Sequence, residues 1–479
     1  MQRRLVAAGL AAFVAVVALL AWKGDKVVDR VLDLRFGGHI PEPRYPFAKN
    51  DADANVQDVD YLARLTEEDR SFNDEARLEF ARRVAKLKEH AATLSRGELL
   101  MGIARALAAA DNPHTNVERA YWRAYLNSAP VRLEWFEEGL YIVRARQTQA
   151  SLLGYRVAAI DGKSPELIVR DASHYFGGPP EHGRVSSLLV MESPQALHAI
   201  YPEAPADRLA LSLDDGSGNI ANVELPAVDP HDAPPVVKPG RLLSPESDFG
   251  EKPGEWEGVI GHSGVGRNPE ARAERNALPI SLRRPNQSLY SLKLASDVLY
   301  IHLWSIHSDA RGRLDAQLRE AFSQASAWRR IIIDLRFDTG GDYPDLYHAI
   351  EELPSHLARD GKVIVITDNT TFSAAIITAA LVKHFAGERA VIVGERPRDR
   401  LVFWAEGGEM RLPNSKIEIP VSTGLHDWAH GCRDPARCYW PNVWYGGIGV
   451  GNVEPDVRVG WRFSDYRRGI DTVLEAALR

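Results

Sequence analysis

The sequence predicts an α/β protein whose central unit, residues 330–394, holds a mostly parallel β-sheet with flanking helices. Short aliphatic runs of the kind that parallel sheets bury on both faces alternate here with segments that have the apolar spacing of helices. Glycines and clusters of Asp, Asn and Thr separate these segments, as is typical of turns. The strands are predicted at residues 331–336, 362–367 and 390–393, and the helices at residues 346–353 and 376–385.

Ser373 lies between the second of these strands and the second helix. Open α/β sheets bind their ligands beyond the carboxyl ends of the strands, so this serine is well placed for nucleophilic chemistry. The helix N-terminus supplies unpaired N–H groups and a partial positive charge that would stabilise an oxyanion. Serine is also a preferred N-cap residue, and a purely structural cap is the alternative.

Two short motifs follow the first two strands: DLRFDTGG at residues 334–341 and TFSAA at residues 371–375. In this order they resemble the core motifs of the tail-specific (C-terminal-processing) protease family of serine peptidases, in its tricorn and retinoid-binding-protein-like branch. The resemblance implies a ClpP/crotonase-like core, a peptide or protein substrate and no cofactor. It also implies that Ser373 is the nucleophile and that the backbone N–H groups of Gly340 and Ala374 form the oxyanion hole.

His114 is the candidate general base. It follows a predicted helical region, residues 51–110, in the loop DNPHTN at residues 111–116. A lone histidine in a loop is more often solvated or structural, but the resemblance implies a base in an Asp-x-His-Thr-like motif, which this loop matches with one additional residue. Another branch of the family uses a lysine as the base. The basic residues within 394–400 are all arginines, and arginine is not deprotonated in proteins.

The non-catalytic alternative is a ligand- or peptide-binding protein on the same fold. Asp338 stands where the family has asparagine, and Pro113 precedes the histidine. The acid that would orient His114 is not assigned, because neither Glu454 nor Asp456 matches the family's glutamate position. The presence of both a serine and a histidine favours the enzyme.

The N-terminus predicts a membrane anchor. Two arginines, at positions 3 and 4, precede eighteen uncharged residues, 5–22, which are enough to span a bilayer as a helix. Residues 1–24 are therefore predicted to be an uncleaved signal-anchor, with a cleaved signal sequence as the alternative. The arginines predict that the rest of the chain is exported from the cell membrane, for example into a periplasm.

Composition agrees with an exported globular protein. The net charge of −7 does not suggest a nucleic-acid partner. Cys432 and Cys438 are the only cysteines, and in an exported domain they are expected to form a local disulfide. Their spacing is weak for a metal site, although His426 and His430 lie nearby, and no metal is predicted.

The chain is predicted to divide into five parts. Residues 153–163 resemble part of a PDZ-type module, which binds peptides by strand addition; an ordinary hairpin with an Asp-Gly turn is the alternative. The parts are the anchor or signal sequence (1–24), a helical domain (25–115), a β-rich, PDZ-like module (116–229), a Pro/Gly-rich linker or insertion (230–287) and the tail-specific-protease-like catalytic core (288–479).

Overall fold

The computed structural model describes residues 28, 30–38, 40–41, 43–230, 241–245, 255–260 and 278–479. Two six-stranded sheets lie in this part of the chain, one in the N-terminal half and one in the C-terminal half. The predicted anchor lies outside the described residues. Among the residues that are described, none of the helices has the length and apolar character that crossing a membrane requires.

The helices and strands follow one another in mixed order. From residue 51 onward the α-helices are α1 (Asp51–Leu62), α2 (Asp74–His90), α3 (Arg96–Leu107), α4 (Arg119–Tyr125), α5 (Pro165–Ala172), α6 (Pro180–Met191), α7 (Pro194–Ile200), α8 (Leu314–Phe322), α9 (Tyr347–Glu352), α10 (Ala374–Ala386), α11 (Trp440–Trp444), α12 (Phe463–Tyr466) and α13 (Thr472–Leu478). The strands are β1 (Val131–Phe136), β2 (Gly139–Arg146), β3 (Arg156–Ile160), β4 (Arg208–Asp214), β5 (Ile220–Pro226), β6 (Trp256–Gly258), β7 (Leu289–Ala295), β8 (Val298–Leu303), β9 (Trp328–Asp334), β10 (Leu357–Thr367), β11 (Ala390–Gly394), β12 (Val402–Ala405), β13 (Glu409–Arg411), β14 (Glu418–Pro420), β15 (Gly424–Asp427) and β16 (Val457–Arg458).

The predicted helical region forms α1, α2 and α3. Ser95 starts α3 with a capping box: its side chain accepts from the N–H of Glu98, and the Glu98 carboxylate accepts from the N–H of Ser95. The apolar residues of these helices enter one buried core together with the first sheet. After α3 a short 3₁₀ turn ends at Asp111, whose left-handed φ of 49° turns the chain into the loop that carries His114.

The first sheet has the order β1-β2-β3-β4-β5, and β6 pairs with β2. Strand β1 pairs with β2, and β4 pairs with β5, in antiparallel hairpins. The two-strand hairpin at residues 153–163 is not formed, because the turn at Asp161 leads into α5 instead of a second strand. Three helices, α5 to α7, follow β3, so residues 116–229 are more helical than predicted. Trp256 in β6 is buried, which ties the predicted linker to this sheet.

The second sheet has the order β16-β11-β10-β9-β8-β7 and is mixed. The pairs β8–β9, β9–β10, β10–β11 and β11–β16 are parallel, and β7–β8 is antiparallel. Because β9 and β10 are parallel neighbours, their carboxyl ends meet at one edge of the sheet. The loops that follow them, residues 335–342 and 368–373, therefore lie side by side, and they contain the two motifs.

Candidate active site

Ser373 has a strained backbone at the start of α10. Its φ of +53° and ψ of −124° are unusual for a residue with a side chain, and such strain costs about 1–3 kcal/mol. A sharp strand-to-helix turn of this kind exposes the side chain of a nucleophilic serine in other α/β enzymes. The side chain makes no capping hydrogen bond. The alternative in which Ser373 serves as an N-cap is therefore not supported by the geometry.

Gly340 packs directly against this serine. A Cβ atom at Gly340 would lie 2.7 Å from the Cβ of Ser373 and 2.9 Å from the nitrogen of Ala374, and the φ of Gly340 is +104°. Only glycine fits there without displacement. The N–H of Phe372 donates to the carbonyl of Asp338 at 3.0 Å, so backbone contacts hold the two motifs together.

The two predicted oxyanion donors differ in their environment. Ala374 is the first residue of α10, so its N–H has no partner within the helix. The N–H of Gly340, in contrast, donates to Oδ1 of Asp338 at 2.8 Å. The N–H of Gly340 is thus engaged within its own turn in this structure, and its role in an oxyanion hole stays a prediction.

His114 lies beside the serine loop, although 259 positions separate it from Ser373 in the sequence. Its ring stacks on Phe372, with centroids 4.4 Å apart, and on Phe403, at 4.8 Å. Phe372 directly precedes the serine, so the stacking brings the imidazole into the neighbourhood of Ser373. Both ring nitrogens are buried and lack a hydrogen-bond partner among the described residues. The imidazole is therefore held by its aromatic neighbours, and neither of its nitrogens is hydrogen-bonded to Ser373 in this structure.

A buried polar network fixes the loop that carries His114. Asn112 donates to the carbonyl of Trp404 at 2.9 Å and accepts from its N–H at 3.1 Å. The Thr115 hydroxyl is 3.1 Å from that of Ser422, whose N–H donates to Asp69 at 2.9 Å. Burial raises the pKa of Asp69, and its hydrogen bonds oppose this shift. These contacts join the N-terminal loop to the C-terminal half.

Asp399 is the carboxylate that lies against His114. Its Oδ2 is 3.5 Å from Nδ1 of the histidine, and only 1% of its side chain is exposed. Oδ1 accepts from the N–H of Arg400 at 2.7 Å, whereas Oδ2 has no hydrogen-bond partner among the described residues. Burial of an unpartnered carboxylate oxygen is costly, and contact with a protonated imidazole would offset this cost.

Sequence reasoning missed Asp399. It lies between two arginines in residues 394–400, a segment without lysine in which no local pattern marks an acid that orients a histidine. Neither of the two acids considered, Glu454 and Asp456, is paired with the histidine. Glu454 pairs with Arg396 at 2.6 Å, and Asp456 accepts from the N–H of Ile392 at 2.8 Å. Two acids, Glu395 and Asp399, follow β11 in this segment, and only the fold shows that Asp399 is the one that reaches His114.

The cysteine pair forms the expected disulfide, Cys432–Cys438. The two nearby histidines have carboxylate neighbours instead of a shared ligand position. His426 lies 3.3 Å from Glu406, and His430 lies 3.1 Å from Asp427. Within the part of the chain that the structure describes, there is no group of three or more His, Cys, Asp or Glu side chains that could hold a metal ion.

Comparison with known proteins adds a fold relationship. No family model and no curated protein matches the sequence. Mature CPAF complexed with lactacystin matches the structure with a TM-score of 0.53 at 12% identity, over 87% of this chain and 96% of that chain. The chain has the CPAF fold. The predicted resemblance to the tail-specific proteases is thereby confirmed at the level of the fold.

Two proteases match this chain with lower TM-scores. The photosystem II D1 C-terminal processing protease has a TM-score of 0.35 at 12% identity and covers 85% of this chain and 93% of its own. The tricorn protease has a TM-score of 0.38 at 14% identity, over 91% of this chain and 37% of that chain.

Proposed function

We propose that this protein is a serine peptidase that hydrolyses peptide bonds through an acyl-enzyme on Ser373. His114 is the general base, and Asp399 orients it. One observation carries this proposal: Ser373 has a strained backbone and makes no capping hydrogen bond, and the ring of its neighbour Phe372 stacks on the imidazole of His114, which lies 3.5 Å from the buried carboxylate of Asp399. Serine is a weak nucleophile until a base removes its proton, and this arrangement supplies that base.

In the proposed mechanism, His114 accepts the hydroxyl proton of Ser373 as the oxygen attacks the substrate carbonyl carbon. The N–H of Ala374, at the positive end of α10, stabilises the oxyanion. The tetrahedral intermediate then collapses, and His114 donates the proton to the leaving amine. A water molecule hydrolyses the acyl-enzyme by the same steps, while Asp399 stabilises the imidazolium each time it forms.

Gly340 serves as the second oxyanion donor in this proposal once its N–H leaves Asp338. The close packing of Gly340 on Ser373 supports this role, because it places the Gly340 N–H near the proposed nucleophile. A substrate carbonyl that displaces the Asp338 side chain would complete the hole.

The proposed peptidase is held at the cell membrane by residues 1–24 and acts on the exported side. The disulfide Cys432–Cys438 supports this location, because disulfides persist in oxidising compartments. The substrate is a peptide or protein in that compartment. A PDZ-like peptide-binding role for residues 116–229 stays a prediction.

The second candidate is a binding protein on the same fold, and one observation favours it: the N–H of Gly340 is already satisfied by Asp338. In a site that never forms an oxyanion, this contact would be permanent. The two candidates differ in whether Ser373 is activated.

Labelling of the full-length protein in detergent with a fluorophosphonate probe tests the peptidase. Wild type should react, Ser373→Ala should not, and His114→Ala should react about 100-fold or more slowly, because the base is lost. Ser355→Ala, which removes an exposed serine, is the matched control and should label like wild type. Absence of labelling in folded wild type, or persistent labelling of Ser373→Ala, would refute the proposal.

A further inference from the structure

Two arginines, Arg119 and Arg398, flank the serine loop. The N–H of Arg398 donates to the carbonyl of Thr371 at 2.9 Å, two residues before Ser373. Its guanidinium carbon lies 5.4 Å from the centre of the Phe372 ring. Arg119 opens α4, five residues after His114, and its charge acts on Arg398. Arg398 therefore borders the proposed active site, and Arg119 lies close enough to Arg398 for its charge to act there.

Both arginines are half-buried, and among the described residues neither guanidinium forms a direct ion pair with a carboxylate. Arg398 donates from Nε to Nδ1 of His182 at 3.1 Å and from Nη2 to the hydroxyl of Ser186 at 3.0 Å, and both partners are neutral acceptors. The Nε and Nη1 atoms of Arg119 are buried and have no hydrogen-bond partner among the described residues. Buried donors of native proteins are nearly always satisfied, so an unpartnered guanidinium calls for a ligand.

Nearby carboxylates offset only part of the cost of burying these cations: Glu192 and Glu134 act on Arg119, and Asp399 and Glu118 act on Arg398. Burial, followed by the charge of the neighbouring Arg123, lowers the pKa of Arg119 to about 10. Burial, followed by the charge of Arg119, lowers the pKa of Arg398 to about 9. Both remain protonated at neutral pH. Arg123 is itself paired with Glu192, so that carboxylate is already engaged.

We infer that Arg119 and Arg398 form a carboxylate-binding subsite beside Ser373, which takes an acidic side chain of the peptide next to the scissile bond. The inference rests on the proposed function and names a substrate class for it. A guanidinium presents a planar fork of donors that binds a carboxylate at two points, and such bonds strengthen where water is excluded. A free C-terminal carboxylate offers the same chemistry, so the experiment separates the two sources.

The test measures binding of synthetic peptides to full-length Ser373→Ala by calorimetry. One glutamate is moved along an otherwise uncharged peptide with an amidated C-terminus, and each peptide has a matched glutamine partner. The glutamine peptide with a free C-terminal carboxylate forms the second arm. We expect a carboxylate at one position to tighten binding about tenfold or more, because its loss leaves buried donors unpaired. The arm that shows this preference identifies the source.

The Ser373→Ala background then receives Arg119→Gln or Arg398→Gln, and each should abolish the preference while the glutamine peptides bind as before. Arg119→Gln is decisive, because those unpartnered donors hold no structure together. Arg396→Gln is the matched control: it removes the same charge from the same loop, but its side chain is exposed and paired with Glu454. It should keep the preference. Thermal unfolding of each variant verifies folding.

The subsite is rejected if carboxylate and amide peptides bind equally in both arms, or if Arg119→Gln weakens both equally. Cleavage of the peptides by wild type separates this inference from the proposed function. Cleavage without any carboxylate preference rejects the subsite and keeps the peptidase. A carboxylate preference in binding, with no cleavage by folded wild type, rejects the peptidase and keeps the subsite.

Discussion

At the scale of single residues, Asp399 decides whether His114 is a competent base. A carboxylate beside an imidazole selects its tautomer and stabilises its protonated form, and replacing such an aspartate by asparagine lowers turnover by up to about 10⁴-fold in a well-studied triad. We expect Asp399→Asn to slow fluorophosphonate labelling about 100-fold or more.

Comparing labelling rates at equal concentrations of folded protein separates this role from simple support of the fold, which would lower only the folded fraction. Asp360→Asn, an exposed aspartate at the other end of the sheet, is the control and should label like wild type. If Asp399→Asn labelled at the wild-type rate, Asp399 would have no part in the chemistry.

Gly340 provides a second prediction at this scale. Gly340→Ala places a Cβ atom 2.7 Å from that of Ser373 at a φ of +104°, so either the glycine turn or the serine must move. We expect a loss of about 1–3 kcal/mol in the free energy of unfolding and a loss of labelling. Chemical denaturation and probe reactivity measure the two effects.

Gly216→Ala is the matched control for Gly340. Gly216 also has a positive φ, +83°, but a Cβ atom there would meet nothing within 4 Å. It should lose about 1 kcal/mol from backbone strain alone and keep full reactivity. Equal reactivity in both variants would show that close packing of Gly340 on the serine is not required.

At the scale of secondary-structure elements, the loop that carries His114 depends on Asn112. Its side chain makes both a donor and an acceptor contact with the backbone of Trp404 in β12. Asn112→Ala leaves these buried groups unsatisfied, and we expect a loss of about 2–4 kcal/mol in the free energy of unfolding. Labelling should also slow about tenfold or more, because the imidazole is no longer held at a fixed position.

Asn414→Ala is the control for this loop. Asn414 donates to the carbonyl of Ala54 and to Asp58, so it also joins the two halves of the chain, but at the β13–β14 turn. It should lose stability and keep its labelling rate. Slow labelling in both variants would mean that any loosening of the two halves disturbs the site.

The elements differ in how far the sequence predicts them. Strands β9 to β11 and helix α10 follow from local apolar patterns, since a buried parallel strand needs a continuous aliphatic run. Helices α5 to α7 were not predicted, because the strand-like segments around them dominated the pattern. Strand β6 lies in a proline-rich segment, and only its pairing with β2 orders it.

The site shows the same division. Ser373 and Gly340 belong to motifs with local spacing, so the sequence indicates both. Asp399, Arg119 and Arg398 acquire their meaning only from contacts across the fold. The sequence does not predict the role of Asp399, because no local pattern connects residue 399 to residue 114. Oδ1 of Asp338 as the acceptor for Gly340 is likewise visible only in the folded turn.

At the scale of the whole molecule, the two halves interlock. The strands β13 and β14 belong to the C-terminal half, yet Met410 and Ile419 are buried in the core formed by α1 to α3 and the first sheet. The turn between them is fixed by Asp58, which accepts from the N–H groups of Asn414 and Ser415 at 2.8 Å. The catalytic pair that we propose is thus assembled from both halves, with His114 on one and Ser373 on the other.

Buried carboxyl groups couple the stability of this assembly to pH. Burial, then the nearby Asp368, raises the pKa of Glu395 from 4.5 to about 7, and burial raises that of Glu134 to about 7 as well. Both side chains line a small cavity behind the serine loop. A carboxyl with a raised pKa holds a proton in the folded state that the unfolded chain has released, so it destabilises the fold as pH rises from about 4.5 to 7.

Histidines with lowered pKa act in the opposite direction over part of this range. Burial lowers the pKa of His182, His302 and His426, so their contribution to stability is lost as pH falls below about 6.5. The total pH dependence therefore mixes both effects. A comparison of wild type with one neutral variant isolates the carboxyl, because the histidines are common to both proteins.

We therefore predict that Glu395→Gln gains stability relative to wild type as pH rises. The difference in the free energy of unfolding should be constant below about pH 4.5, grow between pH 4.5 and 7, and level off at about 3 kcal/mol above its acidic value. Urea denaturation at pH 4, 5.5, 7 and 8 measures the curve. Glu388→Gln, which replaces an exposed glutamate between α10 and β11, is the matched control, and the rise should be specific to Glu395→Gln. A flat difference for Glu395→Gln would mean that this carboxyl is ionised in the folded protein and that another group neutralises it.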